Sequence, residues 1–366
     1  MDLCEQCPSY VRAIAPYQPG KPISELAREM GLKEKKIIKL ASNENPLGVS
    51  PKALAAIKKA LPELGRYPDG NAFELKAALA GRYDVPEDCI VVGNGSNDLL
   101  EMAAAVFLSP STSAVYSQHA FAVYPLATQA RGARSIVVPA RDYGHDLKAM
   151  LAAIAADTRV VFIANPNNPT GTFVPGEELE DFLARAPRHA AVVLDEAYTE
   201  YLPRELRYES VPWLKKYPNV ILTRTFSKVY GLAGLRVGFG LMHPRVADLL
   251  NRVRQPFNVN SLALAAARAA LEDAKFVAKS VKMNRSGMAL LERNFKRLGL
   301  EYIPSCANFI SFRVPQANAV YQKLLRQGVI VRPIAGYGMP EHLRVTVGTP
   351  KENARFLKAL ETALDD

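Results

Sequence analysis

Seven short apolar runs, separated by stretches of helical character, constrain the fold of this chain more than any other feature. In chain order they are residues 89–92, 114–116, 135–138, 160–163, 191–194, 220–222 and 237–240. Several are apolar at every position rather than at alternate positions, which is typical of strands covered on both faces. Candidate helices such as 97–107 and 177–185 lie between the runs. This order predicts a mostly parallel sheet with helices on both sides.

The C-terminal third has a different character. Residues 262–298 are rich in Ala, Lys, Arg and Leu and predict one long helix. The predicted elements after Pro304 are strands at 309–314, 329–333 and 342–347 and a last helix at 351–364. We therefore predict an α/β fold in two parts. Residues 50–262 form a three-layer α/β/α domain with a seven-stranded sheet, and residues 1–49 and 263–366 form a smaller α+β domain.

Composition excludes several classes of function. The 366 residues are 49% hydrophobic and 22% charged, as in ordinary globular proteins. No apolar run is long enough to span a membrane or to act as a secretory signal, so we expect a cytoplasmic protein without membrane contact. The net charge of +10 is spread along the chain, which favours attraction of small anionic substrates over nucleic-acid binding. Cys4 and Cys7 have metal-site spacing but no second pair, so no metal is expected.

Residues 225–238 carry the clearest chemical signal. Lys228 follows Thr225 and Ser227, whose hydroxyls point to the same side if the segment is extended. Arg236 adds a planar fork that fits a phosphate, and the glycines between them allow backbone to approach a ligand closely. A lysine beside such an anion site can form a Schiff base with a phosphorylated aldehyde, for which pyridoxal 5'-phosphate is the candidate cofactor.

Two further polar groups follow other predicted strands, at the edge where open α/β sheets bind ligands. Gly95, Ser96 and Asn97 open a helix whose N–H groups can bind phosphate, although Ser96 or Asn97 can equally act as a simple helix cap. Asp195 ends a buried run and needs a cationic partner there. That partner is either a protonated pyridine nitrogen or a structural arginine.

Several residues nearby could complete a site for a pyridine ring. Tyr198 and Asn168 are candidate donors to a ring oxygen, and Phe121 either stacks on the ring or is an ordinary core residue. His119 and His145 have no carboxylate or nucleophile near them in sequence, so we interpret both as structural.

Taken together these residues resemble the aspartate-aminotransferase superfamily of pyridoxal-phosphate enzymes, which have fold type I. Within it the chain is similar to the histidinol-phosphate aminotransferases over nearly its whole length. Beyond the central motifs, the segments that carry this likeness are residues 15–20, 40–46, 66–69, 331–333 and 343–349. One position departs from the pattern, because Phe121 stands where family members often carry a stacking tyrosine.

The resemblance implies roles for the residues around the cofactor. Lys228 would bind the cofactor covalently and move the substrate proton, while Asp195 would pair with the pyridine nitrogen. Asn168 and Tyr198 would bond the ring oxygen, and Phe121 would stack on the ring. The cofactor phosphate would be held by Gly95, Ser96, Asn97, Thr225, Ser227 and Arg236.

The resemblance also implies a homodimer and a substrate. Tyr67 would reach the phosphate in the neighbouring subunit, and substrate would contact Tyr17, Asn43, Arg332 and Arg344. The implied reaction is transamination of L-histidinol phosphate with 2-oxoglutarate in histidine biosynthesis. The alternatives are an aromatic amino-acid aminotransferase, whose substrates share a flat ring and an anionic group, and a decarboxylase of the phosphothreonine type. A basic binding protein would leave Lys228 and Asp195 without a purpose.

Overall fold

The structure is a computed structural model that describes residues 2–365. The strands are β1 (Ile38–Lys39), β2 (Ile90–Gly93), β3 (Ser113–Ser117), β4 (Arg134–Val138), β5 (Thr158–Ala164), β6 (Ala191–Asp195), β7 (Val220–Thr225), β8 (Gly238–Met242), β9 (Tyr302–Ile303), β10 (Phe309–Arg313), β11 (Val329–Ile330), β12 (Arg332–Pro333) and β13 (His342–Thr346). The α-helices are α1 (Leu3–Gln6), α2 (Ser9–Arg12), α3 (Ile23–Met30), α4 (Pro51–Ala60), α5 (Phe73–Tyr83), α6 (Ser96–Phe107), α7 (Val123–Ala130), α8 (Leu147–Ala152), α9 (Gly176–Arg185), α10 (Trp213–Lys216), α11 (Pro244–Val253), α12 (Ser261–Leu271), α13 (Ala274–Arg297), α14 (Ala317–Arg326) and α15 (Pro350–Asp365).

All seven predicted runs lie in one sheet, in the order β2-β8-β7-β6-β5-β3-β4. Only β8 runs antiparallel to its neighbours, which confirms the mostly parallel α/β sheet. The apolar character at every position has a simple cause. Along β5, Val161 and Ile163 pack into the apolar cluster on one face, while Val160 and Phe162 pack into the cluster on the other. Both faces are therefore buried.

A second unit is built from the C-terminal residues and part of the N-terminal segment. Strands β12, β13, β10 and β9 form an antiparallel sheet, and its apolar cluster includes Phe295, Phe312 and Phe356. The N-terminal segment joins this unit because β1 pairs in parallel with β11, with Ile38 opposite Val329. The domain boundaries at residues 50 and 262 remain a prediction.

Two predicted elements are wrong in detail. Residues 262–298 form two helices rather than one, because the Asp273 carboxylate accepts a hydrogen bond from the Phe276 N–H and starts a new helix. Residues 329–333 are not one strand either. The first two pair with β1 and the last two pair with β13, so the chain passes from one sheet to another. Outside the central domain, helices α1, α2, α3 and α14 and strands β1 and β9 were not predicted.

The carboxyl ends of the central strands bring separate loops together. Strands β2, β5, β6 and β7 end at the same edge of the sheet, at Gly93, Ala164, Asp195 and Thr225, although antiparallel β8 lies between β2 and β7. Polar residues that follow these strands therefore converge on one edge of the sheet. Within residues 2–365 no helix has both the length and the apolar composition that crossing a membrane requires.

Candidate functional site

A cavity of about 310 Å³ lies at this edge of the central sheet. The N-terminal segment and the C-terminal unit contribute to its wall, since Tyr17, Asn43, Arg332 and Arg344 line it together with residues from the strand ends. The other predicted site residues in its wall are Ser96, Asn97, Phe121, Asn168, Asp195, Tyr198, Thr225, Ser227, Lys228 and Arg236. Of the predicted residues only Gly95 and Tyr67 lie outside the wall.

Lys228 lines the cavity, and the pKa of its amine is lowered. Its Nζ donates to the Ser42 carbonyl at 3.3 Å and lies 5.7 Å from the centre of the Tyr198 ring. Burial, together with the nearby Arg344 and Arg236 guanidiniums, lowers the pKa of Lys228 to about 8. A lysine of this kind is partly neutral near physiological pH, so it can act as a nucleophile and exchange a proton.

The two hydroxyl residues before Lys228 adopt a bend rather than the extended segment we predicted. Strand β7 ends at Thr225, and the Ser227 N–H donates back to the Thr225 hydroxyl at 3.1 Å. Both side chains still line the cavity. Arg236 donates from Nη1 to the Ser227 hydroxyl at 3.2 Å, and its backbone has a φ of 57°, which is rare for a residue with a side chain. Hydroxyl and guanidinium donors are thereby grouped at one end of the cavity.

The start of α6 faces the same end. Its N-cap is Gly95, which offers no side chain, while Ser96 and Asn97 are already helical. The interpretation of Ser96 or Asn97 as a simple cap is therefore wrong. Among the described residues no side chain accepts from the Ser96 and Asn97 N–H groups, so these groups and the positive end of the helix dipole are available to an anion.

Two glycines make this arrangement possible. A Cβ atom on Gly95 would collide with the Arg236 guanidinium, and one on Gly238 would collide with the Ser96 N–H and the Gly95 backbone. Gly95 also has a φ of 81°. Gly231 serves a different purpose from the one we predicted, because its Cα faces the Gly48 carbonyl and allows two chain segments to pack.

Asp195 is buried at the end of β6 and is held by two hydroxyl groups. Tyr124 donates to Oδ2 at 3.0 Å, and Thr223 donates to Oδ1 at 3.0 Å. Within the described residues Asp195 forms no salt bridge, so the structural-arginine alternative is wrong; Glu196 instead pairs with Arg224 at 2.8 Å. Burial raises the pKa of Asp195 to about 6 despite its two donors. A cation placed against this carboxyl would keep it charged.

Neither donor to Asp195 was predicted from the sequence. Thr223 lies directly opposite Asp195 in the parallel pair of β6 and β7, so the strand register would have revealed it. Tyr124 is fully buried on α7, where it stacks on Phe162 at 4.7 Å between ring centres. Its only sequence signal is its position three residues after Phe121, one helical turn away.

The ring-facing candidates also take defined positions. Asn43 donates from Nδ2 to the Tyr198 hydroxyl at 2.9 Å, while its own N–H donates to Thr346 at 2.9 Å. Asn168 accepts a hydrogen bond from the Arg344 guanidinium. Phe121 is half-buried in the cavity wall with its ring edge-on to Tyr124, so it is not an ordinary core residue.

The other end of the cavity contains two guanidinium groups without carboxylate partners. Arg344 is buried; it donates to the Ala41 carbonyl at 2.9 Å, and its Nε has no partner. Arg332 donates to the Gln18 carbonyl at 2.6 Å and to the Tyr17 hydroxyl at 3.4 Å. Neither forms a salt bridge within residues 2–365. Two unneutralised guanidiniums in one wall favour binding of an anionic group.

Tyr67 lies away from the cavity of its own chain. It is 83% exposed and stacks on Phe257, with 4.7 Å between ring centres. The two histidines bond to backbone carbonyls rather than to catalytic partners: His145 to Ala164 at 2.8 Å and His119 to Tyr337 at 2.7 Å.

Known proteins match the chain over almost all of its length. Residues 35–360 match the family described as aminotransferase class I and II. The chain is 63% identical over 366 residues to histidinol-phosphate aminotransferase 2 of Nitrosospira multiformis, with 100% of this chain and 93% of that protein covered. It is 63% identical over 362 residues to histidinol-phosphate aminotransferase of Methylobacillus flagellatus, with coverage of 99% and 98%. The solved histidinol-phosphate aminotransferase of Sinorhizobium meliloti in complex with pyridoxal-5'-phosphate has a TM-score of 0.90 at 28% identity, with coverage of 98% and 97%.

Proposed function

Since the chain belongs to the class I and II aminotransferase family, we propose that it transfers the amino group of L-histidinol phosphate to 2-oxoglutarate. The products are imidazole-acetol phosphate and glutamate, and the reaction serves histidine biosynthesis in the cytoplasm. The enzyme is a pyridoxal-phosphate-dependent aminotransferase. The observation that carries the substrate assignment is the pair of unneutralised guanidiniums, Arg332 and Arg344, in the cavity wall of a chain whose relatives are named for a phosphorylated substrate.

The residues around the cavity fit pyridoxal phosphate. The glycine-lined space beside Ser96 and Arg236 would be filled by any Cβ, which suits the close approach of a phosphate to backbone N–H groups. Asp195 is a buried carboxyl without a cationic neighbour in salt-bridge range, as required opposite a protonated pyridine nitrogen. The proposed phosphate ligands are Gly95, Ser96, Asn97, Thr225, Ser227 and Arg236.

Each catalytic group then has a defined task. Bound pyridoxal phosphate supplies an aldehyde that takes up the amino group and a ring that withdraws electrons. Lys228 holds the cofactor and, with its pKa lowered to about 8 by burial, accepts and returns the substrate proton through Nζ. Asp195 would keep the ring nitrogen protonated, while Asn168 and Tyr198 would donate to the ring oxygen and Phe121 would cover a ring face.

The substrate anion is assigned to Arg332 and Arg344, with Tyr17 and Asn43 beside them. One guanidinium pair can bind the phosphate of histidinol phosphate in one half-reaction and a carboxylate of glutamate in the other. An aromatic amino-acid aminotransferase could use the same pocket, but the names of the relatives at 63% identity favour histidinol phosphate.

Replacing Arg332 with alanine tests this assignment. We expect kcat/KM for histidinol phosphate to fall about 100-fold, because a charged hydrogen-bond partner of the phosphate is lost. Phenylalanine should lose much less, since its carboxylate can still pair with Arg344. Steady-state kinetics with both donors measure the difference, and the exposed Arg326, replaced by alanine, is the matched control. If kcat/KM falls equally for histidinol phosphate and phenylalanine, Arg332 does not recognise the phosphate group.

We also propose that the functional unit is a homodimer. It is supported by large exposed apolar side chains that lie near Tyr67 in sequence or, in the case of Phe257, stack on it. They are Leu54, Leu61, Leu64, Phe73 and Phe257. Soluble monomers rarely expose so many large apolar side chains together, so a second copy of this chain is the proposed cover. Tyr67 of each subunit would then reach the cofactor phosphate of the other.

Mixed dimers provide the test. A Lys228→Ala subunit lacks the amine, and a Tyr67→Ala subunit lacks the residue donated to its partner. In a hybrid of the two, one site has both defects and the other site has neither. After subunit exchange in an equal mixture, we expect about a quarter of wild-type activity, well above that of either variant alone. Activity that stays at the mean of the separate variants would contradict donation of Tyr67 across the interface.

A further inference from the structure

We propose that Tyr337 is a substrate-contacting residue that makes the anion end of the cavity prefer a phosphate over a carboxylate, and that His119 positions it. This inference rests on the proposed transamination and concerns how the same site distinguishes its two substrates. Neither residue was assigned a functional role from the sequence. Tyr337 lies in the loop between β12 and β13, and it lines the cavity together with Tyr17, Arg332 and Arg344.

The surroundings of the Tyr337 hydroxyl are cationic. Arg332 and Arg344 line the same cavity as Tyr337, and neither guanidinium forms a salt bridge within residues 2–365. Burial outweighs these charges and raises the pKa of Tyr337 above its ordinary value. The phenol therefore keeps its proton throughout the physiological range and can donate a hydrogen bond to an anion.

The chemistry of the two anions explains the preference. A carboxylate has two oxygens, and one guanidinium fork can satisfy both of them. A phosphate monoester presents three terminal oxygens, so it needs a further donor outside that fork. A tyrosine hydroxyl beside Arg332 and Arg344 can supply this donor. Removing it should weaken phosphate binding and leave carboxylate binding almost unchanged.

His119 holds the backbone of Tyr337. The Tyr337 carbonyl lies 2.7 Å from His119 Nδ1, and because a carbonyl only accepts, His119 must donate from that nitrogen. The His119 carbonyl accepts in turn from Asn167 Nδ2 at 2.9 Å. Residue 338 is a glycine with a φ of 74°, so the loop turns sharply directly after Tyr337. His119 thus connects the loop that carries Phe121 to the loop that carries Tyr337.

The test compares Tyr337→Phe with wild-type holoenzyme. We expect the inhibition constant of inorganic phosphate and the KM for histidinol phosphate to rise about tenfold, with kcat little changed. The inhibition constant of glutarate and the KM for glutamate should change less than about threefold. Tyr143→Phe is the matched control, since it removes the hydroxyl of a half-exposed tyrosine that packs on His119 outside the cavity. Equal changes for phosphate and glutarate would overturn the proposal.

Variants of His119 separate positioning from general support of the fold. Asparagine places an N–H donor where Nδ1 lies, so His119→Asn should keep the phosphate preference, while His119→Ala should lose it. In the double variant His119→Ala/Tyr337→Phe, the loss of phosphate affinity should not exceed that of Tyr337→Phe alone, because both changes act on one hydroxyl. Additive losses, or failure of asparagine to rescue, would remove His119 from the proposal.

The inhibition measurements keep this inference separate from the proposed function. They use inorganic phosphate and glutarate as inhibitors of the reaction with glutamate, so they do not depend on histidinol phosphate as a substrate. Suppose that wild-type enzyme does not turn over histidinol phosphate, but that Tyr337→Phe still weakens inhibition by phosphate. This result would overturn the substrate assignment and support the role of Tyr337. If wild-type enzyme turns over histidinol phosphate and Tyr337→Phe leaves phosphate inhibition unchanged, the substrate assignment is supported and the role of Tyr337 is overturned.

Discussion

Replacing Lys228 with alanine is expected to abolish transamination, with a loss of about ten-thousand-fold or more in kcat. The variant lacks the amine that bonds the cofactor aldehyde, and within residues 2–365 no other lysine lines the cavity. It also lacks the group that moves the substrate proton. Absorption spectroscopy of the purified protein provides a second measurement, because the visible band of lysine-bound cofactor should disappear.

Two controls make the result for Lys228 specific. Lys228→Arg keeps a positive charge but offers a guanidinium that neither bonds the aldehyde nor gives up a proton, so it should be as inactive as alanine. Lys215→Ala removes an exposed lysine and should keep both band and activity. Borohydride treatment followed by peptide mapping should label Lys228 in wild-type enzyme. A borohydride-reducible cofactor adduct in Lys228→Ala would show that the assignment of this lysine is wrong.

Asp195→Asn is expected to keep the fold and lose activity by about a thousandfold. Asparagine has nearly the same shape and can still bond to Tyr124 and Thr223, but it carries no charge to hold a pyridine nitrogen protonated. The measurement is kcat at saturating substrate, with thermal unfolding as the check on the fold. Near-normal kcat in Asp195→Asn would show that the charge of Asp195 is not needed to keep the pyridine nitrogen protonated.

The cofactor-free protein gives an independent measurement on Asp195. Its pKa is raised by burial from 3.8 to about 6, so between these values the folded state binds the proton more tightly than the unfolded state. The free energy of unfolding should therefore fall as pH rises through this window. Asp195→Asn should lack this loss and become about 3 kcal/mol more stable relative to wild type above pH 6. Glu200, whose pKa is also raised to about 6 by burial, is common to both proteins and cancels. If the free energy of unfolding has the same pH dependence in wild type and in Asp195→Asn, the pKa of Asp195 is not raised in the folded state.

Much of the fold could be predicted, because strands that are buried on both faces of a sheet are apolar at every position. A strand such as β6, apolar from Ala191 to Leu194, can be recognised without knowledge of its neighbours. The break between α12 and α13 could not, because Asp273 is compatible with both a helix interior and a cap, and only the packed structure decides between them. The passage of residues 329–333 between two sheets depends on pairing with β1, almost 300 residues away in sequence.

Some residues of the candidate site could likewise be predicted from the sequence, and others could not. Lys228, Asp195 and the residues at the start of α6 follow strands directly, so sheet topology alone brings them to one edge. Tyr124 and Tyr337 carry no such signal. Tyr124 reaches Asp195 from within a buried helix, and Tyr337 reaches the anion end from a loop that His119 anchors across two units of the fold. Contacts of this kind depend on tertiary packing, which periodicity and motif spacing do not encode.

The two ends of the cavity rest on separate apolar clusters. Strand ends of the central sheet build the end with Lys228 and Asp195, whereas Arg332 follows Val331 of the C-terminal core and Tyr337 packs on a small cluster of Ile303, Ile334 and Met339. Substitutions that reshape the anion end therefore need not disturb the packing beneath the reactive lysine. Such a division makes the scaffold evolvable, because new amino donors can be recruited through Tyr17, Arg332 and Tyr337 while the chemistry stays intact. For enzyme engineering, the same division marks where a substitution library should be placed.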